Sequence, residues 1–268
     1  MESEFIQYMV TNNLSQNTIS SYLFTLRHFC KKYDIMRLTK RTLLEYKMEL
    51  IEKYRPQTVN LRLRAINCYL ESIHKEKLKL TTVKVQNRTF LENVISEADY
   101  EYFKKKLKAY DIFWYFVIRF MAATGARISE LLQIKAEHVR IGYIDLYSKG
   151  GKVRRIYIPK KLQKEAVAWL EERNLSSGFI FCNRYGNRYT ARGIAQQLKV
   201  LAKKFGIDPK VVYPHSFRHR FAKNFLKKFN DIAFLADLMG HESIETTRIY
   251  LRRTSTEQQE IIDKIIDW

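Results

Sequence analysis

Three features are scarce in this 268-residue chain: cysteine, acidic side chains and long apolar runs. The three cysteines, Cys30, Cys68 and Cys182, lie far apart and match no zinc spacing, which excludes a disulfide framework or a Cys-based metal site and leaves them as reduced core residues. No uninterrupted apolar stretch approaches the ~20 residues that span a bilayer, so a membrane partner is not expected. The opening Met1-Glu2-Ser3-Glu4-Phe5 lacks the basic and apolar regions of a secretory signal, and a cytoplasmic, nucleoid-associated location is the expectation. No tandem repeat or low-complexity tract is visible.

Lysine and arginine dominate instead. Forty-eight of them stand against 28 Asp and Glu, giving a formal net charge of +20 and a pI near 9.8. Such an excess attracts polyanions over long range, which makes nucleic acid the default partner and says nothing about catalysis.

Length and patterning favour two domains. Helical apolar spacing fills the first ~85 residues. Phe5, Tyr8 and Met9 mark one helix, and Ser15 opens a second carrying Ile19, Tyr22, Leu23, Leu26 and Phe29. A third covers 39–54, and Pro56 opens a fourth through Val59, Leu63, Ile66 and Leu70. Together they make a small bundle. From Lys77 to about Asn93 the pattern turns β-branched and basic, and reads equally as an extended linker along a phosphate backbone or as an edge strand. The boundary carries no Gly/Pro cluster and is placed so that the domains are 1–86 and 87–268. The second is mainly helical, with helices expected over 97–110, 113–124, 127–134, 161–173, 190–205, 216–228, 231–239 and 244–250. A hairpin is expected from 143–147 and 153–158, flanking Ser148-Lys-Gly-Gly-Lys152.

The chemistry-bearing residues are individually bland. Arg127 and Glu130 stand three apart at a helix start after Thr124-Gly125, where backbone and guanidinium can approach a phosphate and Glu130 can orient the guanidinium. His215 and Arg218, also three apart, follow Pro214; His241 follows Gly240 at a helix end; and Tyr250 is one of 17 tyrosines. Of the neighbours, Arg220 reads as structural, as does His219, although its spacing from His215 leaves a site role open. As an ordered set, two arginines to grip non-bridging oxygens, two imidazoles to move protons and a phenol to attack would suffice for metal-free phosphodiester chemistry.

At that set the chain resembles the tyrosine recombinase, or phage-integrase-type, family, with the likeness covering essentially its whole length. Thr124-Gly-Ala-Arg-Ile-Ser-Glu-Leu-Leu132 resembles the first arginine box, the 148–152 turn the hairpin lysine, and His215-Ser-Phe-Arg-His219 the second box. Leu238-Met-Gly-His-Glu-Ser-Ile-Glu-Thr-Thr-Arg-Ile-Tyr250 resembles the third box and nucleophile. The opening region is similar to the core-binding domain of Xer-like members. The implied fold is a helical, SAM-like core-binding domain followed by a tyrosine-recombinase catalytic domain, mainly α with a small β-hairpin.

The resemblance implies that Tyr250 attacks the scissile phosphate to give a 3′-phosphotyrosine, with Arg127 and Arg218 on the phosphoryl oxygens. It also implies that His215 helps deprotonate the phenol, His241 donates to the phosphate, and Lys149 is the general acid. Spacing alone leaves Lys152 as a rival acid; Lys152, Arg154 and Arg155 are expected to hold phosphates. No metal or cofactor is called for. The implied partner is double-stranded DNA with specific recombination sites, bound by a homotetramer at synapsis and a monomer when free, with room for accessory proteins. The segment before the core-binding pattern is too short for an additional N-terminal domain, so a minimal recombinase is expected. Integration or excision, inversion and dimer resolution stay open as roles, as do the alternatives of a sequence-specific DNA-binding protein without strand exchange and a type IB topoisomerase-like enzyme. In the tail, Ile261, Ile262, Ile265 and Ile266 form an apolar stripe that is read either as a helix folded on its own domain or as one docked on a neighbour.

Overall fold

The computed structural model describes residues 2–85, 93–147, 153–241, 243–251, 259, 262, 263 and 265. They fall into two compact units, 1–87 and 88–268.

The first unit is a four-helix bundle, with α1 at Glu2–Thr11, α2 at Gln16–Cys30, α3 at Lys40–Lys53 and α4 at Pro56–Ser72. Local chemistry sets the starts. The Ser15 hydroxyl accepts from the Thr18 amide, Thr39 from that of Thr42, and Pro56 occupies a position where no amide proton is needed. Phe5, Met9, Leu26, Phe29, Leu43, Tyr46, Leu63 and Leu70 close the core. Cys30 corrects one expectation: the last residue of α2, one step off its buried face, is exposed, while Cys68 and Cys182 are partly buried and all three are free thiols.

The basic stretch after the bundle is neither a free linker nor a paired strand in its described part. A 3₁₀ turn at Glu76–Leu78 leads into a strap over 79–85, and Leu80 is buried in the bundle core. Asn67 accepts from the Leu80 amide at 2.9 Å and donates to its carbonyl at 2.8 Å, and Asn60 does the same for Val83 at 2.8 and 2.9 Å. Two amide side chains on α4 thus supply the pairing that a neighbouring strand would give.

The second unit is built around α6, Ile112–Thr124, which has apolar residues on all sides and is buried accordingly. Helices α5 (Glu97–Tyr110), α9 (Lys160–Glu172) and α11 (Pro214–Lys228) pack on it. Its core takes in Phe116, Phe120, Trp169, Phe181 and Phe217. Helix α10, Ala191–Lys204, adds Ile194, Leu198 and Leu201 to the same core. The hairpin is an antiparallel pair, β1 (Tyr143–Tyr147) and β2 (Val153–Tyr157), in the register Tyr143 to Tyr157. Its turn at 148–152, with Lys149 and Lys152, lies outside the described residues.

Two elements depart from the sequence reading. The helix expected over 127–134 is a single turn, α7 at Ile128–Leu131. Beyond it the Ile134 carbonyl accepts from Ile180 and the Ala136 amide donates to Gly178, which draws the chain out straight. A short unexpected helix, α8 at Ala136–Ile141, follows and ends on Gly142. The chain closes with α12 (Ile232–Met239), α13 (Ile244–Arg248) and a 3₁₀ turn at Ile249–Leu251 holding Tyr250. Of the tail stripe, Ile262 and Ile265 are described as helical and exposed; Ile261 and Ile266 lie outside the described residues. No described helix is long and apolar enough to cross a membrane.

Candidate active site

Glycine shapes the first wall of the site. Gly125 ends α6 in the left-handed conformation, φ +64°, and a β-carbon there would collide with the Phe221 ring, so the chain turns tightly beneath Arg127. Arg127 caps α7 through its own backbone: its amide donates to Glu130 Oε2 at 2.7 Å, while its Nη1 donates to Glu130 Oε1 at 2.7 Å. One carboxylate therefore fixes both the main chain and the guanidinium of Arg127.

Glu130 is shared. Arg154 Nη1, arriving from β2, donates to the same Oε1 at 2.6 Å, and Arg218 Nη1 from α11 lies 3.8 Å from Oε2. Burial alone would raise the Glu130 pKa, but Arg154 and Arg127 outweigh it and hold it below the ordinary carboxylate value.

The second wall is the C-terminal end of α12. Gly240, at φ +60°, turns the chain there, and the His241 amide returns to the Ala236 carbonyl at 3.0 Å. Three successive carbonyls accept from the three arginines: Leu238 from Arg154 Nε at 2.9 Å, Met239 from Arg218 Nη2 at 2.6 Å and Gly240 from Arg127 Nη2 at 3.2 Å. These are the carbonyls a helix end leaves unpaired, at the negative end of its dipole. Arg218 also donates to Gly125 O at 2.5 Å, and its side chain is only 2% exposed.

Three guanidiniums thus face one carboxylate, and the excess positive charge bears on the ionisation of its neighbours. Burial, reinforced by Arg127 and Arg154, pulls Arg218 down to about 10. Burial and the same arginines pull His241 down to about 4, so its ring is neutral at neutral pH. A site with more guanidinium than carboxylate charge is suited to an anion.

His241 Nε2 lies 3.1 Å from Arg218 Nη2, and its Nδ1 lies 2.8 Å from the hydroxyl of Thr247. Its ring stacks on Tyr250, with centroids 6.0 Å apart and planes 12° from parallel. His219 meets the same tyrosine edge-on at 5.1 Å; burial, with His215 and Arg218, pulls it down to about 4. Tyr250 is 8% exposed. His215, in the first turn of α11, is exposed, and partial desolvation with Arg218 and Arg127 lowers its pKa.

The structure therefore brings Arg127, Glu130, Arg218, His241 and Tyr250 together. The expectation that Arg154 holds a DNA phosphate is corrected. Its side chain is 12% exposed, with Nε and Nη1 committed to Leu238 and Glu130, so it points into the protein. Arg155 forms a two-point pair with its cross-strand partner Asp145 at 2.7 Å each and lies 3.9 Å from the Tyr143 ring centre. Arg220 is structural, paired with Glu97 and stacked on Tyr100. Sequence reasoning missed Thr247 and the three α12 carbonyls; neither carries a local signal, because each matters only through what folds against it. Among the described residues, no group of three or more His, Cys, Asp or Glu is arranged to hold a metal ion.

Known proteins share this architecture. The chain is 28% identical to the tyrosine recombinase XerA of Pyrococcus furiosus over 97% of its length and 92% of that protein. Its fold matches the Tn1549 transposon integrase in complex with transposon right end DNA, with a TM-score of 0.71 at 18% identity over 97% of this chain and 99% of the other. It also matches the XerH site-specific recombinase bound to a palindromic difH substrate, with a TM-score of 0.71 at 21% identity over 96% and 82%. The phage integrase family itself matches residues 91–257, more than half of the sequence and all of the site just described, and the chain belongs to that family.

Proposed function

We infer that this chain is a site-specific DNA recombinase of the tyrosine type, which cuts and rejoins double-stranded DNA through a 3′-phosphotyrosine. The observation that carries the reading is the convergence of Arg127, Arg218 and His241 beside a buried Tyr250, with more cationic charge than Glu130 compensates. Oη of Tyr250 attacks phosphorus, the bond to the 5′-oxygen breaks, His215 takes the phenolic proton and Lys149 supplies one to the leaving oxygen. The guanidiniums of Arg127 and Arg218 stabilise charge building on the non-bridging oxygens, where fixed donors act most strongly. Attack by a 5′-hydroxyl of the partner duplex reverses the step. Bond energy is kept in the phosphotyrosine, so ATP is not consumed.

Residues 1–86 serve as the core-binding domain and 87–268 as the catalytic domain. Lys152 holds a flanking phosphate, and Arg155 does so in competition with Asp145. Exchange between two duplexes takes four cleaving subunits, so the working form is a homotetramer assembled on synapsed recombination sites from protein that is monomeric when free, with accessory proteins a property of the particular site.

DNA substrates nicked beside the cleavage position test the reading. Wild-type protein should be trapped as a covalent adduct in excess EDTA, because arginines occupy the role a divalent cation fills in a metal nuclease. Tyr250→Phe should bind without forming the adduct. Adduct formation by that variant at wild-type yield, or a strict Mg²⁺ requirement, would overturn the assignment. Trapping on unrelated sequences would instead indicate a topoisomerase-like enzyme.

A further inference from the structure

Thr247 has no role in the chemistry as proposed above, yet it is fully buried and its hydroxyl lies 2.8 Å from Nδ1 of His241. It stands on α13, three residues before Tyr250, on the segment that runs directly into the 3₁₀ turn carrying that tyrosine.

The ring's other nitrogen decides what this contact means. Nε2 is 3.1 Å from Nη2 of Arg218, and a guanidinium has donors only, so Nε2 presents its lone pair. The ring is neutral and carries a single N–H, which therefore sits on Nδ1 and points at the Thr247 hydroxyl oxygen. With the opposite tautomer, two donors would face each other across the Arg218 contact, and Nδ1 would need the Thr247 hydroxyl as its donor. Arg218 thus selects the tautomer, and the Thr247 hydroxyl, able to donate or accept, accepts the Nδ1–H that results. Held at both edges, the imidazole lies nearly parallel to the Tyr250 ring, 12° apart. With Nδ1–H committed to Thr247, Nε2 accepts from Arg218 and, carrying no proton, does not make in the DNA-free protein the donation to phosphate that the resemblance implies for His241.

We propose that Thr247 is a positioning residue for DNA cleavage: its hydroxyl accepts the Nδ1–H of His241 and holds the imidazole in its placement against Tyr250. The proposal rests on the reading of Tyr250 as nucleophile, but one of its two signals does not depend on cleavage. Nitrogen-15 NMR of the DNA-free full-length protein, labelled at histidine, reports the His241 Nδ1–H and how fast its proton exchanges with water. Wild-type protein should show a hydrogen-bonded, slowly exchanging Nδ1–H, Thr247→Ser should keep it, and the near-isosteric Thr247→Val should lose that protection. On nicked substrates under single-turnover conditions, Thr247→Val should form adduct about 10- to 100-fold more slowly, with Ser restoring the rate to within a few-fold. Thr247→Ala reads the same two signals should valine prevent folding. Retention of a protected, slowly exchanging Nδ1–H by the valine and alanine variants, or loss of that protection with a wild-type adduct rate, overturns the proposal, as does a folded serine variant as slow as valine. Failure of the Tyr250 reading would appear differently, as wild-type-level adduct from Tyr250→Phe, while the NMR signal would still decide the Thr247 contact.

Discussion

Arg154 Nη1 and Glu130 Oε1 meet at 2.6 Å, joining the second strand of the hairpin to the turn that carries Arg127. The same guanidinium holds the Leu238 carbonyl, so one side chain ties together the hairpin, the Arg127 turn and the end of α12. This makes the hairpin part of the catalytic frame. Arg154→Met removes a charge-assisted hydrogen bond to Glu130, which keeps Arg127 and Arg218 as partners, together with the bond to the Leu238 carbonyl, and should destabilise the fold by about 2 kcal/mol. Arg154→Lys keeps the charge but cannot span both acceptors, and should recover only part of that loss. Denaturant unfolding measures the order wild type, lysine, methionine; a methionine variant as stable as wild type contradicts the brace.

Gly240→Ala should fail for two separable reasons. Alanine at φ +60° costs about 1–2 kcal/mol by itself, and its β-carbon would strike Cδ of Arg154. The double variant with Arg154→Ala, which removes the struck Cδ, should therefore be less destabilised than the two single losses added together. Strict additivity in a double-mutant cycle would show that the collision does not matter.

Stability should fall on mild acidification. His219 and His241 sit at about 4 in the folded protein, below the ordinary 6.5, because burial and neighbouring cations disfavour their charged forms. Between those limits the unfolded chain binds more protons, so the stability contributed by each neutral ring is complete above about pH 6.5 and declines as the pH drops towards 4. Each ring adds up to about 1.4 kcal/mol per pH unit within that window. Thermal unfolding at pH 5 and 6.5 should show a lower midpoint at pH 5, and His219→Gln should narrow the gap. An equal gap in the variant would count against a buried neutral His219.

Lys149→Ala should slow cleavage of ordinary DNA and be largely rescued by a 5′-phosphorothiolate, whose leaving sulfur needs little protonation. Rescue of Lys152→Ala in place of Lys149→Ala would reassign the general acid.

On the reading in which the tail docks on a neighbouring subunit, removal of residues 257–268 should spare binding to single sites and abolish synaptic complexes and strand exchange, because the stripe that grips the neighbour is gone. Native gel analysis of paired duplexes reads this directly. Unimpaired recombination by the truncated protein, or its unfolding, would place the tail on its own domain instead.

Much of the fold was legible because its elements obey local rules. Apolar residues at helical spacing marked the bundle and α5, α6, α9, α10 and α11, and the glycine-bearing turn between β-branched runs marked the hairpin. Periodicity was less able to say which apolar residues go inside. Six apolar residues of α3, Leu43, Leu44, Tyr46, Met48, Leu50 and Ile51, share its length, yet only Leu43, Tyr46 and Leu50 are buried. The 127–134 segment misled for a related reason, since helix propensity there yields to backbone pairing with Gly178 and Ile180, more than 40 residues away.

Net charge, helical character and the order of arginine, histidine and tyrosine boxes that identifies the family can be read from the chain alone. Those properties reside in composition or in short windows of chain. Folding was needed to show that Arg154 faces inward, that three carbonyls at the end of α12 receive three arginines, and that Thr247 contacts the His241 ring stacked on Tyr250. Each is a contact among groups on separate elements, and which way a guanidinium or an imidazole points depends on donors and acceptors that folding brings within 3 Å or so of it.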